Sequence, residues 1–433
     1  MTLNQKILLV QPKFPTAAKS INHKDFLPIP LLKIASYHRS IGDEPFLVHG
    51  KTDVDFNPDS IYITSLFTYW QKEFWDTVMF YRNNFSKSII NIGGIYVSLF
   101  FENSEFQKKC NELNLLPIKG TVEAFEKSQP DYSLVDVDYQ IIHASRGCKR
   151  HCPFCGVWKI EPEFVPKESI KNEIVKNKLV FYDNNLLSNP FIEKILKELS
   201  ELEIKGKPVY SESQSGFDGR LLTLKLAKLL KKARFINPRL AWDGSFKDEN
   251  KIEKQINILC KAGYKSKDIS IFMIYNWEYT FEEMELKRKK CCEWKVQISD
   301  CRNRPLTQLH DDYKPLKDQS NGIDYHINPN WTDAEVKQFR KNVRRHNICV
   351  RQNLRYHSKI LEHKRIYSKE QIQALKFMPI EDAKKCLPDL WIPSEITPPI
   401  DRYKWSSERE KVIAEPIIID AISSKVYKIP IEV

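Results

Sequence analysis

Short apolar runs alternate with amphipathic helical patterns over the first 130 residues of the chain. Apolar residues recur at helical spacing in Pro30–Arg39 and Gln71–Tyr81. Strands that alternate with helices indicate a parallel sheet covered on both faces, so we predict an α/β, Rossmann-like domain over residues 1–130. The predicted strands of this domain are Ile7–Gln11, Pro45–Val48, Ile61–Phe67 and Ser88–Ile92.

A second alternating series follows a linker at Gln129–Tyr132. Six strand–helix repeats favour an open, partial (β/α)6 barrel over residues 138–302 rather than a closed eightfold barrel. The predicted strands are Ile141–Ser145, Leu179–Asp183, Pro208–Ser213, Arg239–Asp243, Ile269–Tyr275 and Val296–Ser299. The predicted helices are Lys167–Lys176, Pro190–Leu202, Leu221–Lys232, Asn250–Ala262 and Phe281–Trp294.

The periodicity weakens beyond residue 303, and we expect residues 303–433 to form a mostly helical extension. A helical pattern runs from Thr332 to about Ile360, and Thr332 with Glu335 is typical of a capping box at its start. Residues 339–351 are the most basic stretch of the chain. This stretch either binds an anionic substrate or forms an exposed helix face.

The composition is that of a folded protein with an excess of positive charge. Of its 433 residues, 42% are hydrophobic and 29% are charged, and the net charge is +12. The excess is spread along the chain and favours an anionic partner only weakly. No apolar run approaches the ~20 residues that span a bilayer, and the first apolar run is too short for a signal-peptide core. We therefore expect a cytoplasmic protein with no membrane partner.

Three cysteines lie close together directly after the first predicted barrel strand. The segment Ala144–Cys155 reads ASRGCKRHCPFC, which spaces Cys148, Cys152 and Cys155 as C-x3-C-x2-C. Three thiolates can hold three irons of a cubane and leave the fourth iron without a protein ligand. The alternatives are three core cysteines or a zinc loop, and zinc would require a fourth ligand where only His151 is near.

In its cysteine spacing, its position and the aromatic Phe154, this segment resembles the radical S-adenosylmethionine (SAM) superfamily. The resemblance implies that Cys148, Cys152 and Cys155 ligate a [4Fe–4S] cluster whose open iron binds SAM, and that Phe154 packs near the adenine. In that family, an electron from the cluster cleaves SAM into methionine and a 5′-deoxyadenosyl radical that abstracts hydrogen from the substrate. A reductant such as flavodoxin or ferredoxin is also implied.

Further candidates for binding SAM follow the next predicted strands. Asp183 and Asn184 lie in a turn that resembles the "DDNF"-type turn of cobalamin-class members, where it contacts the SAM amino group. A solvated turn before a helix is the alternative. Gln214 and Arg220 are candidates for the SAM ribose or carboxylate, although Arg220 could equally cap a helix or bind an acidic group. Asp243 is a candidate for the ribose or the substrate.

The predicted N-terminal domain resembles the cobalamin-binding domain that precedes the barrel in one large radical SAM group. The resemblance is carried by Thr64–Trp70 and by Asn91–Tyr96, which includes two adjacent glycines. Many members ligate cobalt through the histidine of an Asp-x-His-x-x-Gly motif, but the corresponding segment here reads QPKFP over Gln11–Pro15. Cobalamin is therefore an open candidate, and a scaffold domain is the alternative. The single Cys110 of this domain argues against a methylthiotransferase.

The function that we predict is hydrogen abstraction by a radical SAM enzyme from a substrate that is anionic, a peptide or a nucleic acid. If cobalamin binds, methyl transfer to an unactivated carbon is the leading reaction. The rival prediction is a non-catalytic protein whose cysteine loop binds zinc and whose basic helix binds nucleic acid. We expect Cys291 and Cys292 to be core thiols rather than ligands of an auxiliary cluster, because adjacent helical residues point in different directions.

Overall fold

The computed structural model describes residues 4–15, 27–352, 417–419 and 426–428. The chain forms two compact units that interleave along the sequence. The first unit comprises Met1–Leu221, Leu229–Ile236 and Arg304–His326. The second comprises Leu222–Lys228, Asn237–Asn303 and Ile327–Val433. The boundaries predicted for three domains stay a prediction.

The first unit begins with a parallel sheet of five strands in the order β2-β1-β3-β4-β5. The predicted parallel sheet is thus confirmed, and only its last strand was absent from the prediction. The strands are β1 (Lys6–Gln11), β2 (Glu44–His49), β3 (Ser60–Ser65), β4 (Ile89–Gly94) and β5 (Leu115–Pro117). The helices are α1 (Ile29–Ser40), α2 (Gln71–Asn84), α3 (Ile95–Phe100), α4 (Ser104–Glu112) and α5 (Glu123–Glu126).

Strand β1 lies inside this sheet and is buried on both faces. Leu8 and Val10 pack into one apolar cluster, whereas Ile7 and Leu9 pack into another. Successive side chains of a strand point to opposite faces, so a continuous apolar run is what a central strand of a covered parallel sheet requires. We name this sheet with its helices α1–α5 the N-terminal sheet domain.

A second parallel sheet in the same unit has the order β13-β12-β9-β6. Two short antiparallel pairs, β7 with β8 and β10 with β11, accompany it. The strands are β6 (Gln140–Ile142), β7 (Ser145–Arg146), β8 (Val165–Pro166), β9 (Lys178–Phe181), β10 (Glu203–Ile204), β11 (Lys207–Pro208), β12 (Tyr210–Ser213) and β13 (Phe235–Ile236). The helices of this stretch of the chain are α6 (Val157–Ile160), α7 (Ile192–Glu201) and α8 (Leu224–Lys232).

The helix predicted over Lys167–Lys176 is wrong, since the structure has only a 3-10 turn at Lys171–Glu173. The buried side chain of Gln140 explains the difference. Its Oε1 accepts hydrogen bonds from the backbone N–H groups of Val175 at 2.9 Å and Lys176 at 3.3 Å, and its Nε2 donates to the carbonyl of Glu173 at 2.6 Å. These bonds satisfy backbone groups that would otherwise pair within a helix.

Several predicted strands begin or end at other residues in the structure, and two of them are described here. The strand predicted over Ile141–Ser145 ends at Ile142, and Ser145 at its predicted end pairs with β8 instead. The strand predicted over Arg239–Asp243 ends at Ala241. An additional strand, β13, precedes it, and Asn237 between them has a positive φ of 48°, which interrupts extended backbone.

The second unit contains a three-stranded parallel sheet in the order β14-β15-β16. Its strands are β14 (Arg239–Ala241), β15 (Ser270–Tyr275) and β16 (Gln297–Arg302), and the antiparallel pair β17 (Ile417–Ile419) and β18 (Val426–Lys428) follows. Its helices are α9 (Glu249–Lys261), α10 (Phe281–Glu293) and α11 (Asp333–Gln352). The closure of the strands into a partial (β/α)6 barrel remains a prediction.

Helix α11 begins at the predicted capping box. Glu335 accepts hydrogen bonds from the Thr332 backbone N–H at 2.7 Å and from its hydroxyl at 2.9 Å, and its own N–H lies 3.3 Å from that hydroxyl. The predicted continuation of this helix to Ile360 lies outside the described residues. Within the described ranges, no helix is both long enough and apolar enough to cross a bilayer.

Candidate metal centre

The three cysteines of the motif lie in the loop that connects β7 to α6, and all three are half-buried. The carbonyl of Cys152 accepts hydrogen bonds from the Cys155 N–H at 3.0 Å and from the Trp158 indole at 3.2 Å. The backbone N–H of Arg150 donates to Cys148 Sγ at 3.4 Å. A hydrogen bond to the sulfur, as at Cys148, is of the kind that tunes the reduction potential of a cluster that the sulfur ligates.

The loop begins at Gly147, where the backbone leaves no room for a side chain. The φ of this residue is +70°, and a Cβ there would overlap the carbonyl oxygen of Glu163. Only glycine adopts such a conformation without strain at so close an approach. The Gly147 N–H donates to Glu161 Oε2 at 2.8 Å. The residue before the first cysteine is therefore fixed by both backbone sterics and a carboxylate.

Asp183 is fully buried just beyond β9 and holds the chain that leads into the loop. Its carboxylate accepts hydrogen bonds from the Ala144 N–H at 3.0 Å, the Ser145 N–H at 2.6 Å and the Ser145 hydroxyl at 2.7 Å. Burial raises the pKa of Asp183 to about 6, although the hydrogen bonds from Ala144 and Ser145 act in the opposite direction. The adjacent Asn184 is half-buried.

Arg146 lies at the centre of a charged network that our sequence analysis missed. Its Nη2 donates to Glu161 Oε1 at 2.6 Å, its Nη1 lies 3.1 Å from His143 Nε2, and its Nε is 3.9 Å from Glu126 Oε2. Burial and the positive charges of Arg146 and Lys33 lower the pKa of His143 well below its usual range. The imidazole is thus neutral and can accept from the guanidinium.

Asp218 connects the cysteine loop to the segment after β12. This buried carboxylate accepts from Arg150 Nε at 2.9 Å and from Arg220 Nε at 2.7 Å. Burial would raise the pKa of Asp218, but the two arginines lower it below its usual range. Arg220 thus binds an acidic group, which was one of the alternatives predicted for it. Its side chain is still 60% exposed. Gln214, on the same segment, is half-buried.

The remaining predicted site residues lie in different surroundings. Phe154 is half-buried within the loop, and His151 is exposed with its ring 5.5 Å from that of Trp158. Asp243 is exposed and belongs to the second compact unit. In the described part of the chain, no three His, Cys, Asp or Glu side chains are gathered into a group that could hold a metal ion. The chemistry of the donor set nevertheless fits a cubane with an open iron, which takes three thiolates, better than zinc, which takes four ligands.

A cavity of about 170 Å³ lies at the carboxyl ends of β3 and β4, and the two segments that resemble a cobalamin-binding domain border it. Gly94 has a φ of +97°, and a Cβ there would overlap the carbonyl oxygen of Ser65. The other side of the cavity is formed by Arg146 and Glu161, which also contact the base of the cysteine loop.

No family model matches the chain, and no curated protein matches it by sequence. Among solved structures, it is similar to the radical SAM methyltransferase TsrM from Kitasatospora setae with cobalamin and a [4Fe–4S] cluster bound, at a TM-score of 0.55. The two chains are 12% identical, and the match covers 78% of this chain and 85% of that one. The chain has the fold of a radical SAM enzyme.

A second structure of TsrM, with tryptophan substrate and the SAM analogue aza-SAM bound, has a TM-score of 0.51 and is also 12% identical. This match covers 70% of this chain and 75% of the TsrM chain. The predicted resemblance to the radical SAM group with an N-terminal cobalamin-binding-type domain is therefore confirmed at the level of the fold.

Proposed function

We propose that the protein is a radical SAM enzyme in which Cys148, Cys152 and Cys155 hold a [4Fe–4S] cluster. The observation that carries this proposal is the C-x3-C-x2-C loop that follows β6 and the short strand β7 in a chain with the fold of a radical SAM methyltransferase. Loops at the carboxyl ends of parallel strands carry the active sites of barrel enzymes. When bound, the cluster would supply the electron that cleaves SAM into methionine and a 5′-deoxyadenosyl radical.

The residues around the loop have separate proposed roles. Asp183 holds the strand end before the loop through three hydrogen bonds that its fully buried carboxylate accepts, so of the predicted pair the half-buried Asn184 is the proposed partner of the SAM amino group. Arg150 and Arg220 share Asp218 and keep 39% and 60% of their side chains exposed, which suits the binding of the SAM carboxylate. Phe154 is proposed to lie near the adenine. Gln214 is proposed to contact the SAM ribose or carboxylate, and Asp243 is proposed to contact the ribose or the substrate.

Cobalamin is the proposed second cofactor, and methyl transfer is the proposed reaction if it binds. The cavity beside Gly93 and Gly94 supports an approach of a ligand to the carboxyl edge of the sheet. The volume of this cavity is about 170 Å³. The proposed substrate is an anionic molecule, a peptide or a nucleic acid, and a flavodoxin or ferredoxin is the proposed reductant.

The proposal is tested on protein purified without oxygen and reconstituted with iron and sulfide. We expect near four irons per chain, the broad visible absorbance of a cubane, and 5′-deoxyadenosine when SAM and dithionite are added. The Cys152→Ala variant should lose both the absorbance and the product while its circular dichroism stays unchanged. Spectra with and without added cobalamin test the second cofactor. Stoichiometric zinc without iron would instead support the rival zinc and nucleic-acid binding protein.

A further inference from the structure

Glu161 uses both of its oxygens on the two residues that precede Cys148. Oε2 accepts from the Gly147 N–H at 2.8 Å, and Oε1 accepts from Arg146 Nη2 at 2.6 Å. The Glu161 side chain is 17% exposed, so both bonds are largely shielded from water. A carboxylate held at both oxygens has little freedom to rotate, and its hydrogen bond therefore fixes the position of the Gly147 backbone.

The base of the cysteine loop is closed by a second set of contacts. Strands β7 and β8 pair Ser145 with Pro166 and Arg146 with Val165. The chain entering the loop and the chain leaving it therefore run side by side, and Glu161 lies on the leaving side. Closing a loop at its base reduces the number of conformations open to the residues within it. This restriction favours binding of the cluster, because the three cysteine sulfurs must keep a fixed separation to ligate a cubane.

The leaving side of the loop also packs against the N-terminal sheet domain. A Cβ on Gly120, which has a φ of +64°, would lie 3.0 Å from the carbonyl oxygen of Ile160. A Cβ on Gly156 would lie 3.4 Å from Leu99. These approaches place backbone of the loop segment directly on helix α3 and on the turn before α5.

Electrostatics join the same two parts of the first unit. Glu126 of α5 lies 3.9 Å from Arg146 Nε and accepts from Lys33 Nζ of α1 at 2.8 Å. Burial would raise the pKa of Glu126, but Arg146 and Lys33 lower it below its usual range, so the carboxyl group stays ionised. Arg146 thus lies between a carboxylate of the N-terminal sheet domain and the carboxylate that fixes Gly147.

We propose that Glu161 is a positioning residue for the cluster and that Arg146 couples it to Glu126 of the N-terminal sheet domain. The inference rests on the proposed function, since it assigns the support of the same cluster. Groups that orient metal ligands without touching the metal typically change metal affinity by about 10–100-fold when removed. The N-terminal sheet domain is then part of the cluster's scaffold, whatever else it binds.

The test compares Glu161→Gln with Glu163→Gln in reconstituted full-length protein. Both substitutions neutralise one carboxylate in the same segment, but the side chain of Glu163 is exposed. The measurement is the rate at which cluster absorbance disappears in excess EDTA, together with the iron content per chain. We expect Glu161→Gln to lose its cluster roughly 10-fold faster than wild type, and Glu163→Gln to match wild type.

Glu126→Gln extends the test to the N-terminal sheet domain and covers the case in which Glu161→Gln does not fold. This variant should lose its cluster faster than wild type while keeping the same circular dichroism. Lys33→Met retains the pair of Glu126 with Arg146, so it should lose its cluster more slowly than Glu126→Gln does. Equal rates for Glu161→Gln and Glu163→Gln, or for Glu126→Gln and wild type, would overturn the inference and leave the proposed function intact. Wild-type protein that takes up no iron would remove the proposed function and the inference together.

Discussion

Two groups of cysteines in this chain have the same functional group and very different surroundings. Cys148, Cys152 and Cys155 are half-buried in a loop whose ends are fixed by carboxylates. Cys291 and Cys292 are fully buried in helix α10, as the sequence analysis predicted. Burial raises the pKa of Cys291 well above its usual range and that of Cys292 to about 12.

The chemistry of a thiol in this chain depends on the surroundings of the side chain and not on its presence alone. A thiolate is the form of cysteine that binds a metal, and deep burial makes the thiolate unfavourable because it removes the charge from water. The loop cysteines have access to solvent and, at Cys148, a backbone N–H on the sulfur. The proposed function therefore gives the loop cysteines the role of ligands and leaves the helix cysteines a role in packing, and the following predictions test that difference.

The largest effect is expected from removing a loop cysteine. Cys148→Ala should abolish the [4Fe–4S] absorbance after reconstitution, because a cubane held by two protein thiolates has too few anchors. Cys301→Ala removes an exposed cysteine outside the loop and should retain full iron content. The measurement is iron and sulfide per chain, and a loss in both variants alike would show that accessibility rather than position determines iron binding.

A large difference in reactivity is expected between the two groups in iron-free protein. At pH 8, iodoacetamide should label the loop cysteines on the order of 100-fold faster than Cys291, which is buried and whose pKa is raised. Peptide mass spectrometry at several times gives the rates. Equal labelling of Cys291 under native conditions would contradict the burial of α10, and labelling in urea provides the control for intrinsic reactivity.

Loss of the carboxylate that holds the loop entrance should destabilise the fold. Asp183→Ala leaves the N–H groups of Ala144 and Ser145 without their buried acceptor, at a cost of about 3 kcal/mol in the free energy of unfolding. Urea denaturation of the iron-free chain measures it. An unchanged free energy would mean that the loop entrance is held by other contacts, such as the bond from Asn189 Nδ2 to the Ala144 carbonyl at 2.8 Å.

The raised pKa of Asp183 also predicts the pH dependence of stability. Because its pKa is about 6 in the folded chain and lower when unfolded, the folded state binds more protons between these values. Its contribution to stability is therefore complete at low pH and is lost as the pH rises through about 6. Asp183→Asn should reduce the decline measured by urea denaturation from pH 4 to 7, and the remainder is expected from Asp300, whose pKa burial also raises to about 6. A decline that is as large in the variant as in wild type would have to come from other groups.

The smallest effect is expected in the helix. Cys291→Ala removes one buried sulfur and should lower the free energy of unfolding by about 1 kcal/mol without changing the iron content. Urea denaturation and iron analysis of the same sample measure both quantities. A loss of iron in this variant would indicate that Cys291 is a ligand and would contradict the proposed difference between the loop cysteines and the helix cysteines.

Local patterns predicted much of the fold. Each of the strands β1 to β4 begins and ends within two residues of its predicted bounds, because each is a β-prone run in a covered parallel sheet. The capping box at Thr332 is as local a signal, since both partners lie on one turn. The helix predicted over Lys167–Lys176 failed because Gln140, far away in sequence, takes up its backbone groups.

The same division applies to the candidate centre. The spacing of Cys148, Cys152 and Cys155 within one short loop is a local property, so the amino-acid pattern identifies the residues that can be ligands. The contacts that hold the loop are tertiary, since Asp183, Glu161 and Glu126 contact its base from three different parts of the chain. Periodicity and spacing encode what a segment can form or bind, whereas the partner of a buried charge depends on which distant segments the fold brings within hydrogen-bonding distance.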